Sequence, residues 1–428
     1  MASLSRNRKR LASTLFFLII AINVMDRQMV AILAESMKAD LGLSDAALGA
    51  LAGPLFAFSY AVSGLPIAFI TDRTDRVRVL GWSTAIAGVF AASSGFARGF
   101  GVLAGARALV AIGDAGGPPA IWSLVSSYHA PEKRARIIAN IQLGAPVGAV
   151  IAFVVGGLVA STLGWRWGFF IVGGLGIIAG LACLFLVPEP RRDSPKAQVG
   201  PTSKTMSPFN GYRDLISQPA FQWGLCGVSL AGVGMFGLGI WAPSVLQREF
   251  GWSPGQTGIA LGGATALAGS TGTWASGWLA ERKRKNGDLG AEFTVPALAM
   301  IVAVPVVALS GIAPSAMTAL ITYGAATFCL LAWNAPSIAA FQLIANDQTR
   351  AVAASLHVFF VNMFGLGLGP LAIGFFSEAL MPSLGVASLS TSIAIIVTLA
   401  VTGAAVAFRR ASHHLRRAPA QDSLLPNT

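Results

Sequence analysis

Two pairs of opposite charges stand inside stretches that are otherwise apolar: Asp26 and Arg27 in the first, Arg107 and Asp114 in the fourth. A charge at the centre of a bilayer costs roughly 2.5–3.5 kcal/mol on insertion scales. Ionisable groups at that depth mark substrate paths or proton relays. Asp26 and Arg27 are adjacent, so their side chains diverge by about 100° around a helix and do not face each other. Arg107 and Asp114 share a helix face, about 10 Å of rise apart. The economical arrangement is therefore between helices, with the carboxylate of one facing the guanidinium of the other.

Such an arrangement can move protons. An aspartate there is pulled two ways: desolvation favours its neutral form, and a close arginine favours the anion. Arginine stays charged and offers a planar fork of donors. Moving it by a few ångströms changes the balance, which links proton binding to shape. Asp26 and Asp114 are thus candidate proton sites, and Arg27 and Arg107 candidate charge switches or ligands for an anionic solute. The alternative is a fixed ionic clasp that orients the two helices. Beside Asp114 runs Gly116-Gly117-Pro118-Pro119, whose prolines lack backbone donors and loosen the helix before them.

The elements that position these residues are long and greasy. The 428-residue chain is 54% hydrophobic and 11% charged, with a mean hydropathy of +0.67. A crossing helix needs about 20 apolar residues. Such runs occur near 12–34, 46–70, 79–97, 101–127, 137–161 and 166–187. A second set lies near 220–245, 256–280, 292–312, 315–344, 351–379 and 385–408. This predicts an all-α membrane protein of twelve helices. Its units are a six-helix bundle over 1–187, a polar connector over 188–219, a second bundle over 220–409 and a basic tail over 410–428. Phe209, Tyr212, Leu215 and Ile216 recur at helical spacing in the connector, as in a helix lying in the headgroup layer.

The net charge of +12 raises nucleic acid as a partner, but the placement of the charges excludes it. Of the 30 Lys and Arg, twenty-four fall in alternate loops and the two termini. Only Lys38, Arg98, Arg166 and Arg248 fall on the other side. The positive-inside rule then places both termini and the connector in the cytoplasm, where anionic lipid is a sufficient partner. Cys183, Cys226 and Cys329 lie within spans as small apolar fillers. No phosphate-binding loop, metal cluster or hydrolase elbow is present, so neither an enzyme nor a cofactor is expected.

An even split into two six-helix halves suggests an internal repeat. Glycines at close spacing support it: Gly144, Gly148, Gly156 and Gly157 in the fifth span, and Gly365, Gly369 and Gly374 in the eleventh. They serve either tight static packing or a smooth face on which the halves rock.

With Asp72-Arg73-Thr74-Asp75-Arg76 between the second and third spans, the chain resembles the major facilitator superfamily. That family's usual signature there is Gly-x-x-x-Asp-Arg-x-Gly-Arg-Arg. Ala68 and Asp75 stand where it has glycines. The resemblance implies a gating role for Asp72 and Arg73. Within the superfamily the amino-terminal half resembles the spinster-like transporters, through Asn23-Val24-Met25-Asp26-Arg27, Arg107-Ala108-Leu109-Val110-Ala111-Ile112-Gly113-Asp114 and Gly164-Trp165-Arg166-Trp167. Members generally carry Glu where Asp114 stands, one methylene longer.

The carboxy-terminal half offers no matched ions, only Trp333, Asn334, His357 and Asn362 as candidate cavity residues. A charged half beside an uncharged one suits an amphipathic cargo. Its head would lie toward Arg27 and Arg107, and its tail against Phe58, Phe236, Trp241 and Phe360. The resemblance adds lysophospholipids and sphingoid phosphates as cargo class. The expectation is a monomeric, proton-coupled secondary transporter of the bacterial inner membrane, exporting a lipid-like solute by alternating access. The alternative is an organic-anion symporter or uniporter, with Arg27 and Arg107 binding a carboxylate.

Overall fold

The computed structural model describes residues 5–190, 208–346 and 349–417. Lipid offers no partner to a backbone amide, so a chain this apolar satisfies its backbone within helices. Ten continuous apolar runs are long enough to cross a membrane. Nine are single spans: Arg6–Leu41, Asp45–Thr71, Arg76–Ser94, Phe100–Tyr128, Arg136–Thr162, Trp165–Leu186, Pro219–Arg248, Ala291–Ser310 and Ala316–Ile344. The tenth, Val352–Arg417, holds two spans divided by a short 3-10 turn at Gly385–Ala387. The remaining span, the eighth, covers 254–285 and is richer in Gly, Ser and Thr. Twelve spans result, six on each side of the connector.

The first span is 36 residues, about 54 Å, against a hydrocarbon core of about 30 Å. It stops at Gly42, whose φ of 64° is left-handed and whose N–H returns to the Lys38 carbonyl. In the connector, Pro208–Ile216 forms the short helix expected there, with Leu215 buried and Tyr212 and Ile216 exposed. Residues 191–207, the side chain of Phe209 and the tail from 418 lie outside the described residues.

The glycine ladders bring backbones close both inside a bundle and between the two bundles. Inside the first bundle, a Cβ on Gly148 would stand 2.1 Å from the Ala21 carbonyl oxygen, so the fifth span packs backbone to backbone on the first. Between bundles, a Cβ on Gly157 would lie 2.3 Å from the Pro254 carbonyl, and one on Gly374 2.3 Å from that of Asp45. The fifth span thus meets the eighth, and the second meets the eleventh. These two contacts are equivalent under the twofold relation of the halves.

Contacts between the bundles gather at the end away from the termini. Gly258 approaches closest there: an added Cβ would sit 1.9 Å from the Phe153 carbonyl oxygen. Gly258→Val is expected to separate the bundles at this end, because overpacking costs about 1–3 kcal/mol and the backbone opposite cannot yield. Spin labels at Thr162 and Ser253 would read the change as a longer distance. An unchanged distance distribution would contradict it.

Candidate functional site: a charge cluster between the first and fourth spans

Asp26 and Arg107 form the ion pair that joins the two spans. The Arg107 guanidinium lies 2.6 Å from Asp26 Oδ2, with the side chains 2% and 5% exposed. The second expected pair does not close. Asp114 is buried, and its Oδ2 has no hydrogen-bond partner among the described residues. The charges of Arg27, Asp26 and Arg107 all act on it. Arg27 is half-buried and forms no ion pair among the described residues, though its Nε lies 3.4 Å from the Asn23 carbonyl. Asp26 Oδ1 and Arg107 Nε are also buried without partners among the described residues. Buried polar atoms are rarely left so. The cluster therefore retains capacity for a proton, a water or a solute group.

Two aromatic residues complete it, and neither stood out in the sequence. Phe56 of the second span lies beneath both guanidiniums, 5.4 Å from Arg27 Cζ and 5.7 Å from Arg107 Cζ. A ring face attracts a cation by about 0.5–2 kcal/mol, more as water is excluded. Tyr60, one turn on, stacks against Phe56 and lies within the fields of Arg27 and Asp114. Phe58, expected in the wall, is 61% exposed.

The local backbone explains the placement of Asp114. Helix Phe100–Asp114 ends there, Ala115 and Gly116 turn, and a new helix starts at Gly117 with Pro118 and Pro119 in its first turn. A Cβ on Gly116 would lie 2.2 Å from Ser83 Oγ, so only glycine admits the third span this close. The tenth span breaks in the same way: Ala316–Leu331, a turn at Ala332 and Trp333, then Asn334–Ile344. Both helices of a repeat-related pair are thus interrupted at membrane depth, where breaks are tolerated in protein-lined sites.

Other expected residues divide. Asn334, Asn362, Phe236 and Phe360 are half-buried. Asn362 lies in a π-helical stretch, Val361–Leu366, and donates to the Val358 carbonyl. Trp241, expected to face a solute tail, is instead sealed among helices at 1% exposure, its indole N–H donating to the Pro370 carbonyl. Trp333 and His357 are buried together, ring centroids 6.1 Å apart, with Phe341 5.3 Å from His357. Trp333 Nε1 and His357 Nε2 lack partners among the described residues.

In the signature loop, Arg73 is exposed and lies over the Phe69 ring, while the side chain of Asp72 lies outside the described residues. Asp75, where the signature has glycine, caps the third span by accepting from the Arg78 N–H at 2.9 Å. Arg76 is the buried residue of this loop. It donates to both oxygens of Glu189 at the end of the sixth span, and to Ser123 and Ser127 at the end of the fourth.

A second unanticipated cluster closes the end away from the termini. Arg248, from the second bundle, donates to Glu35 and to both oxygens of Asp45 on the first, at 2.7–2.8 Å for the short contacts. Lys38 and Ser377 also reach Asp45. Gln247 donates to the Ile32 carbonyl. The clue in the sequence was that Lys38 and Arg248 are two of only four basic residues on their side of the chain.

The sequence profile of the Major Facilitator Superfamily matches residues 16–370. The chain belongs to that superfamily. An MFS-type efflux pump of Mycolicibacterium smegmatis is 30% identical over 396 residues, covering 92% of this chain and 91% of the pump. Protein spinster homolog 1 of Xenopus tropicalis is 25% identical over 380 residues, covering 85% and 72%. A crystal structure of a bacterial homologue of the human lysosomal transporter Spinster, inward-facing and unoccupied, superposes with a TM-score of 0.82 at 25% identity, covering 97% of each chain. This superfamily member is therefore a spinster-like transporter, not an enzyme, and an integral multi-pass protein of the bacterial inner membrane.

Proposed function

We propose that this transporter exports an amphipathic, lipid-like solute in exchange for protons, with the cluster of Asp26, Arg27, Arg107 and Asp114 as the coupling element. The observation that carries the reading is the incomplete pairing: Arg107 is held by Asp26, while among the described residues the buried Asp114 Oδ2 has no partner and Arg27 has no ion pair. A buried carboxylate in that position binds a proton when the arginines move off and releases it when they approach. Arg27, half-buried, is the natural contact for an anionic head, with Phe236 and Phe360 toward the tail. The abundance of basic residues around the termini supports a cytoplasmic position for that end. The closed Arg248 end then faces outward, and the molecule is inward-facing.

The test is flux of a headgroup-labelled lysophospholipid from proteoliposomes under an imposed pH gradient. Wild type should respond to the gradient. Asp114→Asn should retain binding but lose the pH response by at least tenfold, because the amide cannot exchange a proton. A pH response that survives in this variant would remove Asp114 from coupling. Flux of a short organic carboxylate, with none of the lysolipid, would support the organic-anion reading instead.

A further inference from the structure

The first bundle carries a concavity at its terminus-bearing end, remote from the charge cluster. It has a volume of about 1110 Å³ and lies between the start of the first span, the end of the fourth and the helix that opens the fifth, Pro131–Gln142. Arg10 and Asp26 are sixteen residues apart on one helix, about 24 Å along its axis. This is a different place from the coupling site.

Its chemistry is divided. Arg6, Lys9 and Arg10 line one wall at helical spacing, and Lys133 faces them from the fifth span. Among the described residues, none of the four has an ion pair and no acidic side chain is in the lining. The floor is apolar, formed by Phe17 and Ile141. Four unpaired cations around one opening repel each other unless an anion enters. His129, at the junction of the fourth and fifth spans, also lines the opening, and its Nε2 is buried without a hydrogen-bond partner among the described residues. Burial first, and then Lys9 and Lys133, hold its imidazole below the ordinary histidine value. Beside it, Ala130 precedes Pro131–Gln142 and supplies no side-chain cap, so the positive end of that helix also faces the opening.

The geometry points to a phosphate-binding site for an anionic lipid. Lys9 and Lys133 clamp the headgroup phosphate from two sides, the N-terminus of Pro131–Gln142 faces it, and the acyl chain leaves along Phe17 and Ile141. A cationic rim over an apolar floor suits a phospholipid better than a free anion, which would leave the floor unused. The position fits as well, because the ends of these spans lie at headgroup depth on the basic side of the chain. A lipid held here bridges the first span to the fourth and fifth, and needs no residue of the second bundle.

Delipidated full-length protein, titrated in native mass spectrometry with dioleoyl phosphatidic acid, dioleoyl phosphatidylcholine or inorganic phosphate, tests the assignment. One phosphatidic acid should bind at least tenfold more tightly than phosphatidylcholine. Lys9→Gln with Lys133→Gln should weaken it tenfold or more, without changing the melting midpoint of the lipid-free protein. The control pair Lys283→Gln with Lys285→Gln removes equal charge elsewhere and should bind as wild type does. Equal affinity in the Lys9/Lys133 variant would overturn the site, as would an equal loss in the control. Inorganic phosphate that competes as well as the lipid would overturn the lipid as occupant.

Discussion

Glu189→Ala is expected to destabilise the first bundle by about 3–5 kcal/mol, because it strands a buried guanidinium. Arg76 and Glu189 are 3% and 1% exposed, and their closest approach is 2.6 Å. Glu189 also accepts from the Arg76 backbone N–H at 2.9 Å. Removing the carboxylate therefore orphans three donors on one residue, with only Ser123 and Ser127 left to hold its other arm. The apolar pair Arg76→Met with Glu189→Leu should be far less damaging, since buried ion pairs are often neutral to replace as a unit. A thermal melt of the purified protein followed by size-exclusion recovery distinguishes the cases. A single variant that melts with wild type would mean that water or another group already satisfies Arg76.

Arg248→Gln should open the end away from the termini without unfolding either bundle. Arg248 is 9% exposed and is shared by Glu35 and Asp45, which are 20% and 1% exposed. Without it, Asp45 keeps Lys38 and Ser377, but Glu35 keeps no cation among the described residues. Each bundle retains its own core, so the loss falls on the contact between them. Truncating one member of a buried charge pair costs 2–5 kcal/mol, and partial exposure places this case near about 2 kcal/mol. That corresponds to roughly a thirtyfold shift between closed and open forms. Labels at Thr162 and Ser253 would report the open population, and Arg248→Lys should recover part of the closed one. A variant that melts early yet keeps the short distance would show that Arg248 stabilises a bundle rather than the closure.

Much of the charge cluster was legible because lipid is an unforgiving solvent. Asp26, Arg27, Arg107 and Asp114 were conspicuous as charges where charge is expensive, and the cross-helix pairing of Asp26 with Arg107 follows from the divergence of adjacent side chains. The Gly116-Gly117-Pro118-Pro119 break was equally readable, since proline withholds a donor wherever it stands. The closing network escaped notice for the opposite reason. Glu35, Asp45 and Arg248 sit near span ends, where an ion is unremarkable and nothing in the sequence says which ones meet.

The sequence by itself determined the twelve spans, the division into halves and the four charges at depth, because each follows from the requirement that hydrocarbon exclude unpaired polar groups. Only the tertiary structure decided which apolar residue faces what. Trp241 is sealed in the second bundle while Phe58 is exposed, yet both are apolar aromatics in membrane spans. Lipid and bundle interior are equally apolar, so the periodicity that marks the buried face of a helix in water fades here. Tertiary packing also left Asp114 Oδ2 without a partner among the described residues while Asp26 took Arg107. That choice depends on helix rotation and relative height, which the glycine contacts between the spans set.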